Sequence, residues 1–350
     1  MKKKYWILIG VLLLLLAGSV TYYCIKKANE PRKYKVKKTE LLTRKQEMKV
    51  SVNRYEKALF EADKDNLYAE IEKMYGQYPE NLIAKDIWKD TLMMRSLKAY
   101  LSDPVLLEIY ANTLQVFPDL EDLEEELATA LCYYQHYYPE TEIPHFYSLM
   151  PGIDFEMPSV YGYGDDVFIN LDLYLGADNK FYKQIGIPLY ICARCDKKYI
   201  AIDCFKKAIV YWHLPEKKLL TLLDYMIYEG KKLYFAETMF PNRTENDIIG
   251  YDNDDYAWAM QYQPEVWNYL VEKDLLFSKS GDIIRKFTEE APFTKPFSNV
   301  SPGRLGCFIG WQIVKQYMEN NPEVTLKEMM QNTDSQSILS KSTYKPIKRI

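Results

Sequence analysis

The sequence predicts an α+β fold that is predominantly α-helical, with one small central β-sheet. Three observations carry that prediction. Apolar residues recur at helical spacing along most of the chain, as in Leu219, Leu222, Leu223, Met226, Ile227, Leu233 and Tyr234. β-Leaning runs cluster between residues 143 and 204, apart from one short run near residue 50. No internal repeat or low-complexity stretch interrupts the body, and 48% of the 350 residues are apolar, enough for a sizeable core.

The elements follow in order. "KVSVNRY" reads as a short strand leading into the helical run "EKALFEADKDNLYAEIEKMYGQY". Residues 83–111 carry two helices divided at Ser102-Asp103-Pro104, where Ser or Asp can cap and Pro suits a first turn. Residues 120–137 form a third, with acids crowding its first turn as the helix dipole prefers. "IPHFYSLMPG" and "DDVFINLDLYLG" read as strands, and "LYICARCDKKYIAIDCF" reads as strand, turn, strand. From Phe205 onward every element reads as helix, including "GRLGCFIGWQIVKQYMENN".

Charge divides the chain unevenly. Residues 1–45 hold twelve Lys/Arg against two Glu, whereas the rest hold 33 basic and 47 acidic side chains. An acidic body lacks the clustered cations that nucleic acid requires, so no nucleic-acid partner is expected. Residues 5–25 contain no charge and could span a bilayer core as a helix, with Lys2–Lys4 before them and Lys26 and Lys27 after. Three readings stand: an uncleaved anchor, a lipoprotein processed at Cys24, and a cleaved export signal. Tyr22 and Tyr23 fit poorly before a lipidated cysteine, which favours the anchor. The expected organisation is therefore 1–25 as anchor or signal, 26–45 as a basic juxtamembrane linker, and 46–350 as a globular domain outside the cytoplasm. The linker's lysines suit anionic lipid heads.

Cys192 and Cys195 form a C-x-x-C, with Cys204 and His213 further on. Zinc, a disulfide and unpaired buried thiols are the alternatives, and unpaired packing is preferred because buried thiols are common core fillers. The acids of "YDNDDYAW" lack the glycine and terminal glutamate of a calcium loop, so Asp252 and its neighbours read as a helix N-cap. Trp258, Tyr262 and Trp267 read as core or interface anchors.

The run "LLDYMIYEGKKLYFAE" resembles the helix that, in several zinc-peptidase families, carries a glutamate metal ligand in E-G-x-x-x-Y/F. Its partner motif, H-E-x-x-H, needs two imidazoles four residues apart on one helix face. The chain has three histidines, His136, His145 and His213, and no such pair. About twenty residues before Glu229, where the motif should fall, the sequence reads "AIDCFKKAIV". No metal and no cofactor are expected, and the chain is read as a non-enzyme.

Blocks spread over 49–348 resemble the gliding-motility lipoprotein GldB family: "INLDLYLG", "IPLYI", "MIYEGKKLYFAE", "NDIIGYDNDDYAWA", "EVWNYLVEKDLLFS", "APFTKPF", "SPGRLGCFIGWQIVKQYM" and "STYKPIK". The resemblance implies a zinc-peptidase-like helical body without its first metal motif. It also implies an envelope role in or near gliding and the associated secretion apparatus, with envelope proteins as partners. On that reading the candidate remnant-cleft residues are Glu229, Gly230, Lys231, Arg304 and Asp172. Gly230 inside a helix costs about 1 kcal/mol against Ala, which predicts a close backbone approach. Glu229 is expected to pair with Arg304 or Lys231 where a metal would otherwise lie. Two functions remain: a non-catalytic, membrane-anchored assembly factor, or an envelope hydrolase using carboxylates such as Glu229 and Asp172.

Overall fold

The computed structural model describes residues 48–296 and 299–346, all within the unit Thr43–Ile350. The charge-free run 5–25, Cys24 and the linker 26–45 lie outside the described residues. Among the described residues, no helix is long and apolar enough to cross a membrane.

Among the described residues, four strands form one sheet in the order β1-β2-β4-β3: β1 Val52–Arg54, β2 His145–Leu149, β3 Val160–Tyr163 and β4 Asp166–Asn170. β1, β2 and β4 run parallel, and β3 is antiparallel to β4. Phe168 stacks between Tyr147 and Tyr161, with ring centroids 5.5 and 5.1 Å away, so cross-strand aromatics hold the register on one face. Both faces of β2 and β4 are buried over most of their length, as helix-covered parallel strands require. β3 was not anticipated. Its signal was present: two β-leaning runs flank a two-residue turn opened by Gly164 at φ +58°.

Helices fill the connection from β1 to β2 and follow β4. The first helical run divides into α1 Tyr55–Phe60 and α2 Leu67–Met74. α3 Thr91–Tyr100 and α4 Pro104–Val116 meet at the anticipated boundary. There Asp103 accepts from the N–H groups of Val105 and Leu106, and Pro104 occupies the first turn. α5 Glu121–Tyr137 begins with Glu121, Asp122 and Glu124.

The strand–turn–strand reading of 189–205 is corrected. After α6 Lys180–Gln184, that segment forms helix: α7 Leu189–Cys192, a 3₁₀ turn Lys197–Tyr199 and α8 Ile200–Lys207. The Asp196 carboxylate accepts from the Lys198 N–H and starts the second helical stretch. α8 is buried from Ile200 to Lys206. At eight residues α8 is too short for its period to stand out, and its apolar opening Ile200-Ala201-Ile202 then looks like a strand.

The remaining helices are α9 Leu222–Met239, α10 Glu245–Ile249, α11 Asn253–Glu272, α12 Gly281–Thr288, α13 Leu305–Asn320, α14 Leu326–Gln331 and α15 Ser335–Ser342. α9 starts from a capping box in which Thr221 and Asp224 satisfy each other's backbone. α11 is capped by Asp252, whose carboxylate accepts from the Asp255 N–H at 2.8 Å, as the acidic loop was read. α9 crosses α13 where Gly230 meets Gly310. A Cβ at Gly230 would stand 2.4 Å from the Gly310 carbonyl, and one at Gly310 would stand 1.8 Å from the Met226 oxygen. The backbone approach expected at Gly230 is thus made by a second glycine on the partner helix.

Candidate functional site

α9 carries Glu229, Lys231 and Lys232, and helical geometry sends them to different places. Positions 229 and 232 lie three apart on one face, so Glu229 Oε1 and Lys232 Nζ meet at 2.9 Å. The Tyr211 hydroxyl lies 3.1 Å from the same ammonium. Lys231 points elsewhere and donates to the Met330 and Asn332 carbonyls. Arg304 pairs with Glu290, Nε to carboxylate 3.0 Å. The expected pairing of Glu229 with Arg304 or Lys231 is therefore corrected to Lys232. A residue two positions along a helix faces away, and Arg304 has a nearer acid.

Glu229 and Arg304 nevertheless line one cleft, of about 210 Å³, between α8, α9 and the N-terminus of α13. α8 contributes Lys206 and Lys207 to its lining, and Asp203 shares their face of the helix. Lys207 lies 2.8 Å from the Asp203 carboxylate and Lys206 3.3 Å from it. Burial opposes the Asp203 charge, but Lys207, Lys206 and Arg194 hold its carboxyl well below the usual carboxylate range. Burial pushes Lys206 down to about 7, with Asp203 resisting and the neighbouring cations assisting. Burial also disfavours the Lys232 charge, yet Glu229 and Tyr211 hold its ammonium above the ordinary range.

Arg194 comes from the segment between α7 and the 3₁₀ turn. Its Nη1 donates to the carbonyls of Ile249 and Gly250 at 2.9 and 3.0 Å. Gly250, at φ +76°, is required here, since a Cβ would stand 2.0 Å from the Arg194 guanidinium carbon. Arg304 Nη2 donates to the same Ile249 carbonyl at 2.8 Å. Cys307, also at the cleft, donates its thiol to the Thr288 carbonyl at 3.3 Å, and burial pushes that thiol well up, so it stays protonated.

Asp172 stands apart from this cleft, just after β4. Its Oδ2 accepts from the Gly152 and Ile153 N–H groups at 2.7 and 2.6 Å, while its buried Oδ1 has no hydrogen-bond partner. Burial pushes its carboxyl up to about 6 against those two backbone donors. Glu229 and Asp172 are therefore not brought together as a catalytic pair.

Other sequence candidates resolve as packing. Cys192, Cys195 and Cys204 are buried free thiols. His213 stacks on Tyr138 at 3.8 Å, bonds the Tyr134 hydroxyl at 2.8 Å, and is pushed down to about 4 by burial with help from Lys327. Trp258 stacks on Tyr262 at 4.7 Å, and Trp267 meets Tyr344 edge-on at 5.0 Å. Among the described residues, no three His, Cys, Asp or Glu side chains come together as metal ligands.

Sequence reasoning missed Arg194, Lys206, Lys207, Lys232 and Glu290. The lysine doublet in "IDCFKK", set in an otherwise apolar run, was the available signal.

The fold and the cleft define an α-rich α+β protein whose two central helices meet at paired glycines beside a cation-lined pocket. The family model for gliding motility protein GldB matches residues 36–346, and the chain belongs to that family. No curated protein and no solved structure matches the chain.

Proposed function

We propose that the chain is a non-catalytic accessory or assembly factor of the gliding-motility and secretion apparatus, anchored to the cell envelope by residues 1–25. Its acidic body, residues 46–350, lies in the periplasm and binds other envelope proteins. The family supports the setting. One observation carries the non-catalytic reading. The cleft that holds Glu229 is furnished with ammonium and guanidinium groups, not with imidazoles. Asp203 and Lys207 stand four residues apart on α8, the spacing at which a peptidase helix sets its two histidines, and they pair with each other at 2.8 Å. On this reading fixed cations supply the positive charge that a metal supplies in a zinc-peptidase-like body. A salt-bridged cleft of this kind holds a shape without activating water.

Complementation of a deletion strain tests the proposal, with Glu229→Gln and Asp172→Asn in the full chain. Both variants are expected to restore gliding or surface secretion when the chain accumulates normally. A carboxylate-dependent hydrolase would lose function in one or both, and that result would reject the non-catalytic role.

A further inference from the structure

The cleft at Glu229 holds more positive charge than its acids neutralise. Arg194, Lys206, Lys207, Lys232 and Arg304 face Asp203, Glu229 and Glu290. An excess of this kind within an acidic body focuses the local field on an incoming anion.

The two guanidiniums are held in place before any ligand arrives. Both donate to the Ile249 carbonyl, and their central carbons lie 5.0 Å from the Tyr199 ring and 5.6 Å from the Tyr251 ring. Arg194 Nε is buried with no hydrogen-bond partner. Fixed guanidiniums of this kind match the planar spacing of an oxyanion's oxygens.

What they hold in the free chain is Glu290. Its carboxylate lies 3.0 Å from Arg304 Nε and 4.0 Å from Arg194 Nη1. Its side chain is 50% exposed, and it sits two residues beyond the end of α12, so it can swing out without disturbing a helix.

We propose that this cleft binds a phosphate group, carried by a soluble ester or a lipid head, and that Glu290 occupies its place until the ligand displaces it. The inference rests on reading the cleft as a binding site rather than a reacting one. With Glu290 displaced, five cations face two carboxylates, a balance suited to a dianion better than to a single carboxylate. Lys206, pushed down to about 7 mainly by burial, would take up a proton beside the bound anion.

Isothermal titration calorimetry of the full chain in detergent, with inorganic phosphate at an ionic strength fixed by chloride, tests the proposal. Saturable binding is expected. Glu290→Gln removes the internal competitor, so its affinity should rise about five- to tenfold, as expected when the competent state is a minority of the free chain. Arg304→Gln should weaken binding at least about tenfold, the loss of one charged hydrogen-bonding partner. Because Arg304 is largely buried and its loss also costs stability, Glu290→Gln decides. No saturable binding by wild type, or an affinity unchanged or weakened in Glu290→Gln, overturns the site. Phosphatidic acid in the same detergent micelles, a phosphate monoester able to carry two charges, identifies a lipid head as the source when it displaces the bound phosphate; micelles that leave it bound identify a soluble ester. Failure of this inference alone would appear as absent phosphate binding while Glu229→Gln still complements.

Discussion

Glu229 and Lys232 stabilise each other across one helical turn, and Lys232 is the more deeply set, with 12% of its side chain exposed against 30% for Glu229. Glu229→Ala leaves that ammonium with the Tyr211 hydroxyl and the faces of the Tyr211 and Tyr228 rings, but no carboxylate. The expected loss is about 1–3 kcal/mol, the usual range for stranding a charged hydrogen-bond partner. In Glu229→Ala/Lys232→Met the stranded charge is gone, and part of the loss should return, as coupled neighbours show in a double-mutant cycle. Urea unfolding of the four proteins measures it; a single mutant as stable as wild type would dismiss the pairing as a structural contribution.

Asp172 makes a pH prediction of opposite character. Its carboxyl is raised from 3.8 to about 6, so the folded chain holds that proton more tightly than the unfolded chain does. Its contribution to stability is therefore present at low pH and is lost as the pH rises through about 4 to 6. Asp172→Asn keeps an acceptor for the Gly152 and Ile153 N–H groups and removes the titration. The stability of wild type relative to Asp172→Asn should fall between about pH 4 and about pH 6 and level off above that. His213, pushed down to about 4, acts in the other direction but equally in both proteins, so the difference isolates Asp172. A difference independent of pH would refute the raised carboxyl.

At the scale of elements, the α9–α13 crossing depends on two missing side chains. Gly310→Ala places a methyl group 1.8 Å from the Met226 oxygen, a backbone atom that can move only with its helix. The helices must separate, at a cost of about 2–4 kcal/mol, the upper range for overpacking. Gly281→Ala on α12 is the control. Its nearest neighbour would be an Arg285 nitrogen at 3.6 Å, so it should be neutral or gain up to about 1 kcal/mol from helix propensity. Equal effects of the two substitutions in urea melts would contradict the close crossing. The same crossing positions the cleft, because Glu229 precedes Gly230 and Arg304 opens the helix that carries Gly310. A loosened crossing should therefore also disturb the Glu229–Arg304 side of the pocket.

For the whole molecule, the charge division between basic residues 1–45 and the acidic remainder sets the remaining expectation. Intact-mass measurement of the chain from its own membranes should find residues 1–23 retained, since Tyr22 and Tyr23 precede Cys24. A diacylated chain beginning at Cys24 would return it to the lipoprotein form that the family implies. Elemental analysis of the same material should find well under one zinc per chain, because a lysine-lined cleft repels a divalent cation. Zinc at one per chain that survives mild chelation would contradict the salt-bridged reading of the cleft.

Local rules, read from the residues alone, determined the helix-rich α+β class, the Asp103-Pro104 boundary, the Asp252 cap and the close approach at Gly230. Each rests on a cap, a turn or a glycine that acts within a few residues of its own position. The absence of paired imidazoles was equally legible, because metal ligands of that kind sit at a fixed spacing on one helix. Only the tertiary structure decided that 200–207 is a buried helix, that Glu229 meets Lys232, and that Arg194 and Arg304 share the Ile249 carbonyl with Glu290 as their acid. These depend on which elements come together. A helix of eight residues is too short for its period to distinguish it from a strand, and charges distant in sequence become partners only when the fold excludes water between them.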